Sequence, residues 1–258
     1  MHLPVTMSDS AELTEIFSSI QGEGLLIGLR QLFIRFCACN ITCQYCDTGK
    51  LESATIPAFC MVENSPGKRD FSAEPNPLPL NRVLMLLRNW QRDYPSVHHS
   101  ISITGGEPLL YSGILKKWLP EIRPILPVYL ETNGILYEEL SMIIDYLDYI
   151  CMDIKLPSTT GLAGFWAEHR FFLQIAATKN PVVKIVVSSE TPDWEISKSC
   201  EIIASVDKSI PLILQPLTLP NGNPGISSRR TLELQEIACR YLMETRIIPQ
   251  THKFSGFL

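Results

Sequence analysis

The sequence predicts an α/β protein, a barrel or partial barrel of mainly parallel strands with helices outside. Three observations predict it. Short apolar runs bounded by turn residues, several rich in Ile and Val, recur along the chain as buried strands do. Amphipathic stretches with apolar residues at three- and four-residue spacing lie between them. The polar and glycine-rich motifs fall at the C-terminal ends of the predicted strands, where such barrels gather their chemistry. Alternation of strand and helix implies right-handed crossovers and a parallel sheet.

The stretch "LTEIFSSIQGEGLLIGLRQLFIRF" reads as a short strand, a loop and entry into the first main strand, "QLFIRF" (31–36). Residues 49–78 are rich in Pro, Ser and charge and read as a loop insertion. The helix "LNRVLMLLRNWQRDY" (80–94) leads to the strand "SISIT" (100–104), which ends in "TGGEP". "SGILKKWLPEI" (112–122) is the next helix, and the strand "PVYLET" (127–132) after it ends in "ETNG". "LYEELSMIIDYL" (136–147) precedes the strand "YICMDIK" (149–155), which runs into "LPS". Helix 164–180, strand "PVVKIVVSS" (181–189), helix 193–206, strand "PLILQPL" (211–217) and helix 228–244 complete the pattern. One domain is expected over 1–258, interrupted only by the insertion.

Length and composition, with 258 residues, 45 % hydrophobic and 19 % charged, suit one buried core. The net charge of −5 supplies no basic field for nucleic acid. An uninterrupted apolar run of about eighteen residues is absent, so no membrane span is expected. "MHLPVTMSDSAELTE" lacks the basic-then-apolar order of a secretory signal, and a cytoplasmic location is expected. Of the eight cysteines, Cys60, Cys151, Cys200 and Cys239 are scattered singly and read as small packed hydrophobes. The other four fall together, which fits a reduced protein with one thiol-rich site.

That site is "FCACNITCQYCDT", Phe36 to Thr48, in which Cys39, Cys43 and Cys46 form C-x3-C-x2-C. Structural zinc wants four ligands, and no second CxxC or HxxxH completes the set. A redox CxxC would use Cys43 and Cys46 and leave Cys39 unexplained. A cubane iron–sulfur cluster normally takes four cysteines, so three leave one iron open to a ligand of another kind. The spacing resembles the signature of the radical S-adenosylmethionine (SAM) superfamily, in which the open iron chelates the amino and carboxylate groups of SAM. Tyr45 resembles the aromatic residue that superfamily carries before its last cysteine. Gly105, Gly106 and Glu107 resemble its Gly-Gly-Glu segment, whose backbone and carboxylate receive the SAM ammonium. The resemblance implies an incomplete TIM-type barrel and a [4Fe-4S] cluster. Cys37 is expected to be a packed thiol outside the ligand set; C-x5-C-x2-C, with Cys37 in place of Cys39, is the alternative.

"EIFSSIQGEG", "FIRFCACNITCQYCDT", "ITGGEPLL", "ETNG", "DIKLPS" and "PQTHKF" together resemble one family, the 7-carboxy-7-deazaguanine synthases of queuosine and other 7-deazapurine pathways. Ala38 stands where that family usually has Gly, and the insertion after the cluster looks longer than in compact members. The resemblance implies conversion of 6-carboxy-5,6,7,8-tetrahydropterin to 7-carboxy-7-deazaguanine with loss of ammonia. A 5′-deoxyadenosyl radical would take hydrogen from C6 of the pterin and later return it, so SAM would be a regenerated cofactor. Arg35 would pair with the substrate carboxylate, a task suited to a guanidinium fork. Gln21, Glu23 and Gly24 would meet the pterin edge, and Glu131, Gln215 and His252 are further substrate candidates. Thr48 would help hold a Mg2+ that also binds substrate, as a hard oxygen ligand can; a helix cap is the bland reading of "DT". Thr132 and Asn133 are assigned to SAM, with Asp153, Lys155 and Ser158, for which a salt-bridged rim is the alternative. His2, His98, His99 and His169 show no such context. A homodimer and a donor such as flavodoxin or ferredoxin are implied as partners. The rivals are a glycyl-radical-activating enzyme and a zinc-stabilised binding module.

Overall fold

The computed structural model describes residues 9–46 and 56–257. The chain opens with strands β1 (Ser10–Ala11), β2 (Leu13–Ile20) and β3 (Arg30–Phe36), followed by β4 (Phe59–Glu63), β5 (Phe71–Pro75) and β6 (Leu78–Pro79). Helix α1 (Leu80–Asp93), β7 (Ser100–Gly105), α2 (Ser112–Ile122), β8 (Val128–Thr132) and α3 (Tyr137–Ser141) come next. Then follow β9 (Tyr149–Asp153), α4 (Pro157–Thr160), α5 (Trp166–Ala176), β10 (Asn180–Val187) and α6 (Asp193–Val206). The chain closes with β11 (Leu212–Pro216), α7 (Ser228–Ala238), β12 (Thr245–Ile247) and α8 (Thr251–Ser255).

One ten-stranded sheet runs β12-β11-β10-β9-β8-β7-β3-β2-β4-β5. From β12 to β3 every pairing is parallel. β2 runs antiparallel to β3 but parallel to β4, and β5 returns antiparallel along β4. The ends of the sheet do not meet, so the barrel is incomplete, as expected. Alternation assigns the two faces. Leu32, Ile34, Phe36, Ile101, Ile103, Leu130, Ile150, Ile185 and Leu214 join the main core, with Leu87, Trp118, Phe172, Ile203 and Leu234 of the helices. The other face is largely polar and turns inward: Gln31, Ser102, Glu131, Asp153, Lys184 and Gln215. Tyr129, Cys151, Val182 and Ile213, with Leu25 and Leu26, form a smaller apolar cluster toward the strands' N-terminal ends. That cluster closes the barrel below the polar residues.

The six main strands and the helices between them occupy the expected stretches, with three differences. Residues 56–78 are not loop but carry β4, β5 and β6. Cys60, Val62 and Leu78 of that segment join the main core, and polar contacts pin it to its neighbours. Asn76 Nδ2 donates to Leu13 O at 2.8 Å and to Pro57 O at 2.9 Å. The fully buried Glu63 carboxylate accepts from Ser18 N at 2.9 Å and Arg69 N at 2.8 Å. The helix expected over 136–147 breaks after α3 into a 3-10 turn at Ile144–Tyr146. The helix expected over 228–244 stops at Ala238, and the chain then adds β12 to the sheet. Among the described residues no helix is long and apolar enough to cross a membrane.

Candidate active site

A cavity of about 390 Å³ opens at the C-terminal ends of β3 and β7–β11. Cys39, Cys43 and Cys46 stand on its wall in the loop leaving β3. That loop is pinned by the strand beside it. Gly106 N donates to Phe36 O at 3.0 Å and Glu107 N to Ala38 O at 2.7 Å. The approach explains the glycine pair: a Cβ on Gly105, whose φ is +121°, would lie 2.2 Å from Phe36 O. One on Gly106 would lie 2.1 Å from Ala38 O. Both glycines line the cavity, whereas Glu107 is fully buried behind them. Its carboxylate accepts from Thr132 Oγ1 at 2.9 Å, Asn133 N at 2.8 Å and Leu109 N at 3.1 Å. Burial pushes its pKa up to about 7, although these hydrogen bonds oppose the shift. Its role in the fold is to tie the end of β7 to the end of β8.

Three thiolates on one loop are a donor set that fits a cubane cluster, one thiolate per iron with one iron left open. The thiols are close enough for Cys39 to feel the charge of Cys46, and Cys43 that of both. Burial raises the Cys43 thiol to about 11 and raises Cys39 too, while the Lys155 ammonium acts the other way on both. Cys37 is 3 % exposed and does not line the cavity; burial, then the charge of Glu12, lifts its thiol to about 11.

Thr132 and Asn133 line the cavity beside the cluster loop. Asn133 Nδ2 donates to Asn40 Oδ1 at 2.7 Å, and His169 Nε2 donates to Asn133 O at 3.1 Å. His169, set aside in the sequence, is therefore a buried brace for this loop. Lys155 Nζ bonds Asp153 Oδ2 at 2.8 Å and Tyr45 OH at 3.1 Å, and lies 5.3 Å from the Tyr45 ring centroid. Asp153, Lys155 and Tyr45 all face the cavity. Ser158 does not: its Oγ donates to Glu195 Oε2 at 2.6 Å.

The same cavity carries most of the expected substrate residues. Gln21 Nε2 donates to Glu131 Oε1 at 2.8 Å and to Gln31 Oε1 at 2.9 Å, and Ser102 Oγ donates to Glu131 Oε1 at 3.1 Å. Burial raises the Glu131 pKa, and the charge of Glu23 adds to it. Arg35 reaches the cavity from β3 while its Nη1 holds Glu15 Oε2 at 2.8 Å. Gln215 lines the same space, and among the described residues its buried Oε1 has no donor. The C-terminal segment folds back onto the loop after β2. Thr251 N donates to Gly22 O at 3.0 Å, and a Cβ on Gly22 would sit 2.3 Å from His252 Nδ1. His252 lines the cavity; Gly24, with φ +69°, lies just behind it against Tyr129. Thr48 lies outside the described residues.

Sequence reasoning missed Lys184 and Gln250. Lys184 Nζ pairs with Glu23 Oε2 and lies 3.5 Å from Asp153 Oδ2, and Gln250 Nε2 donates to Glu23 Oε1 at 2.7 Å. The available signal was a lone lysine inside "PVVKIVV", a run otherwise fit for a strand buried on both faces.

The chain matches the family model of the radical SAM superfamily over residues 33–170. It is 57 % identical over 248 residues to a 7-carboxy-7-deazaguanine synthase of Geobacter sulfurreducens, covering 96 % of this chain and 98 % of the relative. A Methanothermobacter thermautotrophicus protein of the same name is 33 % identical over 265 residues, covering 95 % and 97 %. Among solved structures, QueE from Escherichia coli aligns with a TM-score of 0.53 at 19 % identity, covering 93 % of this chain and 94 % of that one. A radical SAM methyltransferase from Sphaerobacter thermophilus gives 0.55 at 12 % identity, covering 93 % and 77 %. These two likenesses speak for the fold.

Proposed function

The chain belongs to the radical SAM superfamily and, within it, to the 7-carboxy-7-deazaguanine synthases, and we propose that it converts 6-carboxy-5,6,7,8-tetrahydropterin to 7-carboxy-7-deazaguanine with loss of ammonia. The observation that carries this reading is one cavity lined by three thiols together with a set of acceptors and a guanidinium, in a chain so similar to a protein of that name. When bound and reduced, the cluster with SAM supplies a radical able to take hydrogen from an unactivated C–H bond. The chain's own residues bind, orient and exclude water. Cys39, Cys43 and Cys46 hold the cluster. Gly105, Gly106, Thr132, Asn133, Tyr45, Asp153 and Lys155 line the SAM side. The buried Asp153 Oδ1, which has no donor among the described residues, is suited to an ammonium or hydroxyl of the cofactor. Glu107 and Ser158 serve this side from behind, through Thr132 and Glu195. Gln21, Glu23, Glu131, Gln215 and His252 offer hydrogen bonds to a flat heterocycle, Gly24 lets the loop turn, and Arg35 takes its carboxylate.

The test is anaerobic turnover of the carboxytetrahydropterin with SAM and reductant, with mass detection of the product. With deuterium at C6, the label is expected in recovered SAM. Stoichiometric 5′-deoxyadenosine without the deazaguanine would point instead to the glycyl-radical-activating class.

Magnesium, the donor and the assembly state complete the proposal. Thr48 supplies one oxygen to a Mg2+ that also binds substrate. Thr48→Ala is therefore expected to slow turnover at low magnesium and recover as Mg2+ is raised; a defect indifferent to Mg2+ removes the assignment. A flavodoxin- or ferredoxin-type donor supplies the electron, and the chain works as a cytoplasmic homodimer.

A further inference from the structure

Lys184 is 8 % exposed on the inner face of β10 and lines the cavity. Its ammonium lies between two carboxylates, but the two are not equivalent. Asp153 already has Lys155 at 2.8 Å, against 3.5 Å to Lys184. Glu23 has Lys184 on Oε2, Gln250 on Oε1, and its own N–H bound to Gln21 Oε1 at 3.0 Å. Glu23 is thus clamped between β10 and the C-terminal segment, with each oxygen keeping a further lone pair for the cavity it lines.

We propose that Lys184 is a positioning residue that fixes Glu23 as an acceptor, and thereby selects substrates presenting an amino or N–H edge over analogues with a carbonyl there. This rests on the reading of Glu23 as a substrate contact. An ionised carboxylate accepts hydrogen bonds and donates none, whereas a neutral acid can also donate to a carbonyl. A pterin offers a 2-amino group; the matching lumazine offers a 2-oxo group, which faces the carboxylate with a second acceptor. Such a mismatch leaves a buried polar group unpaired, and sites of this kind discriminate strongly. The electrostatics agree with the geometry. Burial works against the charge on Glu23, but the charge and hydrogen bond of Lys184, the hydrogen bond of Gln250 and the charge of His252 outweigh it, giving a pKa of about 2. Glu131 and Tyr129 are the other titratable groups that feel it. With Lys184 gone, burial is left opposed mainly by Gln250 and His252, and the pKa rises.

The test compares binding of 6-carboxypterin and 6-carboxylumazine to the reconstituted, SAM-loaded protein under anaerobic conditions, with free ligand read by fluorescence after ultrafiltration. The native protein is expected to prefer the pterin by about tenfold or more, the worth of one such mismatch. Lys184→Met should shrink that preference to roughly threefold or less, as Glu23 gains a proton to donate. Its pterin affinity, taken as a ratio to the native protein at each pH, should fall as pH drops. A raised pKa means that the accepting form is present above it and lost below it. His252 and Glu131 titrate in both proteins, so the ratio isolates Glu23. Lys184→Arg should restore the preference and flatten the ratio. Unchanged selectivity with a flat ratio in Lys184→Met, alongside weakened pterin binding in Glu23→Gln, overturns the proposal. Native-like binding and selectivity in Glu23→Gln instead overturns the reading of Glu23 on which it rests. Should Lys184→Met fail to fold, the neutral pair Lys184→Met with Glu23→Gln replaces it. It should bind as Glu23→Gln alone does, and a further loss would show Lys184 acting by another route.

Discussion

Alanine at Cys39, Cys43 or Cys46 is expected to bring anaerobic SAM cleavage to background, while Cys37→Ala keeps a reconstituted cluster. The three ligand thiols share one wall of the cavity and sense one another electrostatically. On the proposed assignment each would hold one iron; the remaining cysteine at the cavity, Cys151, lies on β9 against Tyr129. Cys37 differs in kind. Its side chain is 3 % exposed and does not reach the cavity that the other three line. Removing one small buried sulfur should cost stability of only about 1 kcal/mol. Iron and sulfide per chain, the visible absorbance of the cluster, and 5′-deoxyadenosine formation are the measurements. Loss of iron in Cys37→Ala with retention in Cys39→Ala would move the ligand set to Cys37, Cys43 and Cys46. Zinc in place of iron and sulfide would replace the chemistry altogether.

What could be read from the sequence follows from how each feature is encoded. The cluster loop, the glycine pair and the strand ends were legible because they are local: spacing alone brings Cys39, Cys43 and Cys46 onto one loop. Parallel strands were legible as apolar runs between amphipathic helices. The β4–β5 hairpin was not, because it gives the core only Cys60 and Val62, too few to show a period, and is otherwise pinned by buried Glu63 and by Asn76 reaching across to β2. The end of helix α7 and the start of β12 were hidden for a related reason. A three-residue edge strand carries too little pattern to be told from helix. Lys184 shows the limit at the site itself. Its partners are Glu23, 161 positions away, and Asp153, and only the tertiary fold brings β10 to the loop after β2. Glu107 shows the converse. The motif located it correctly at the end of β7, but its contacts are with the backbone and hydroxyl of β8's end, a bracing role that the motif alone does not state.

Arg35→Lys is expected to weaken substrate binding roughly ten- to a hundredfold while leaving the cluster intact. Arg35 stands on the inner face of β3, with its guanidinium 5.0 Å from the Phe17 ring centroid, and Phe17 stacks on Phe33 at 5.0 Å. One arm of the fork holds Glu15 Oε2 at 2.8 Å. A guanidinium has five N–H donors in a fixed plane, so with one arm on Glu15 it still presents a second edge to a carboxylate in the cavity. Lysine keeps the charge but not the plane. Its single ammonium sits at one point and must choose between Glu15 and the substrate or hold both poorly. A hydrogen bond to a charged group is worth about 1.5–3 kcal/mol. At about 1.4 kcal/mol per decade, losing one yields the stated range. The cluster is untouched because Arg35 is not a ligand and its strand contacts remain. Glu15→Gln separates the fork from its brace: the guanidinium loses a charged anchor but keeps both edges, so binding should weaken less than in Arg35→Lys. Raising Mg2+ should not rescue Arg35→Lys, since the lost contact is to the carboxylate and not to the metal. The measurements are substrate affinity of the reconstituted protein, iron content, and turnover across a magnesium titration. Native affinity in Arg35→Lys, or its recovery with magnesium, would show that the substrate carboxylate is held elsewhere.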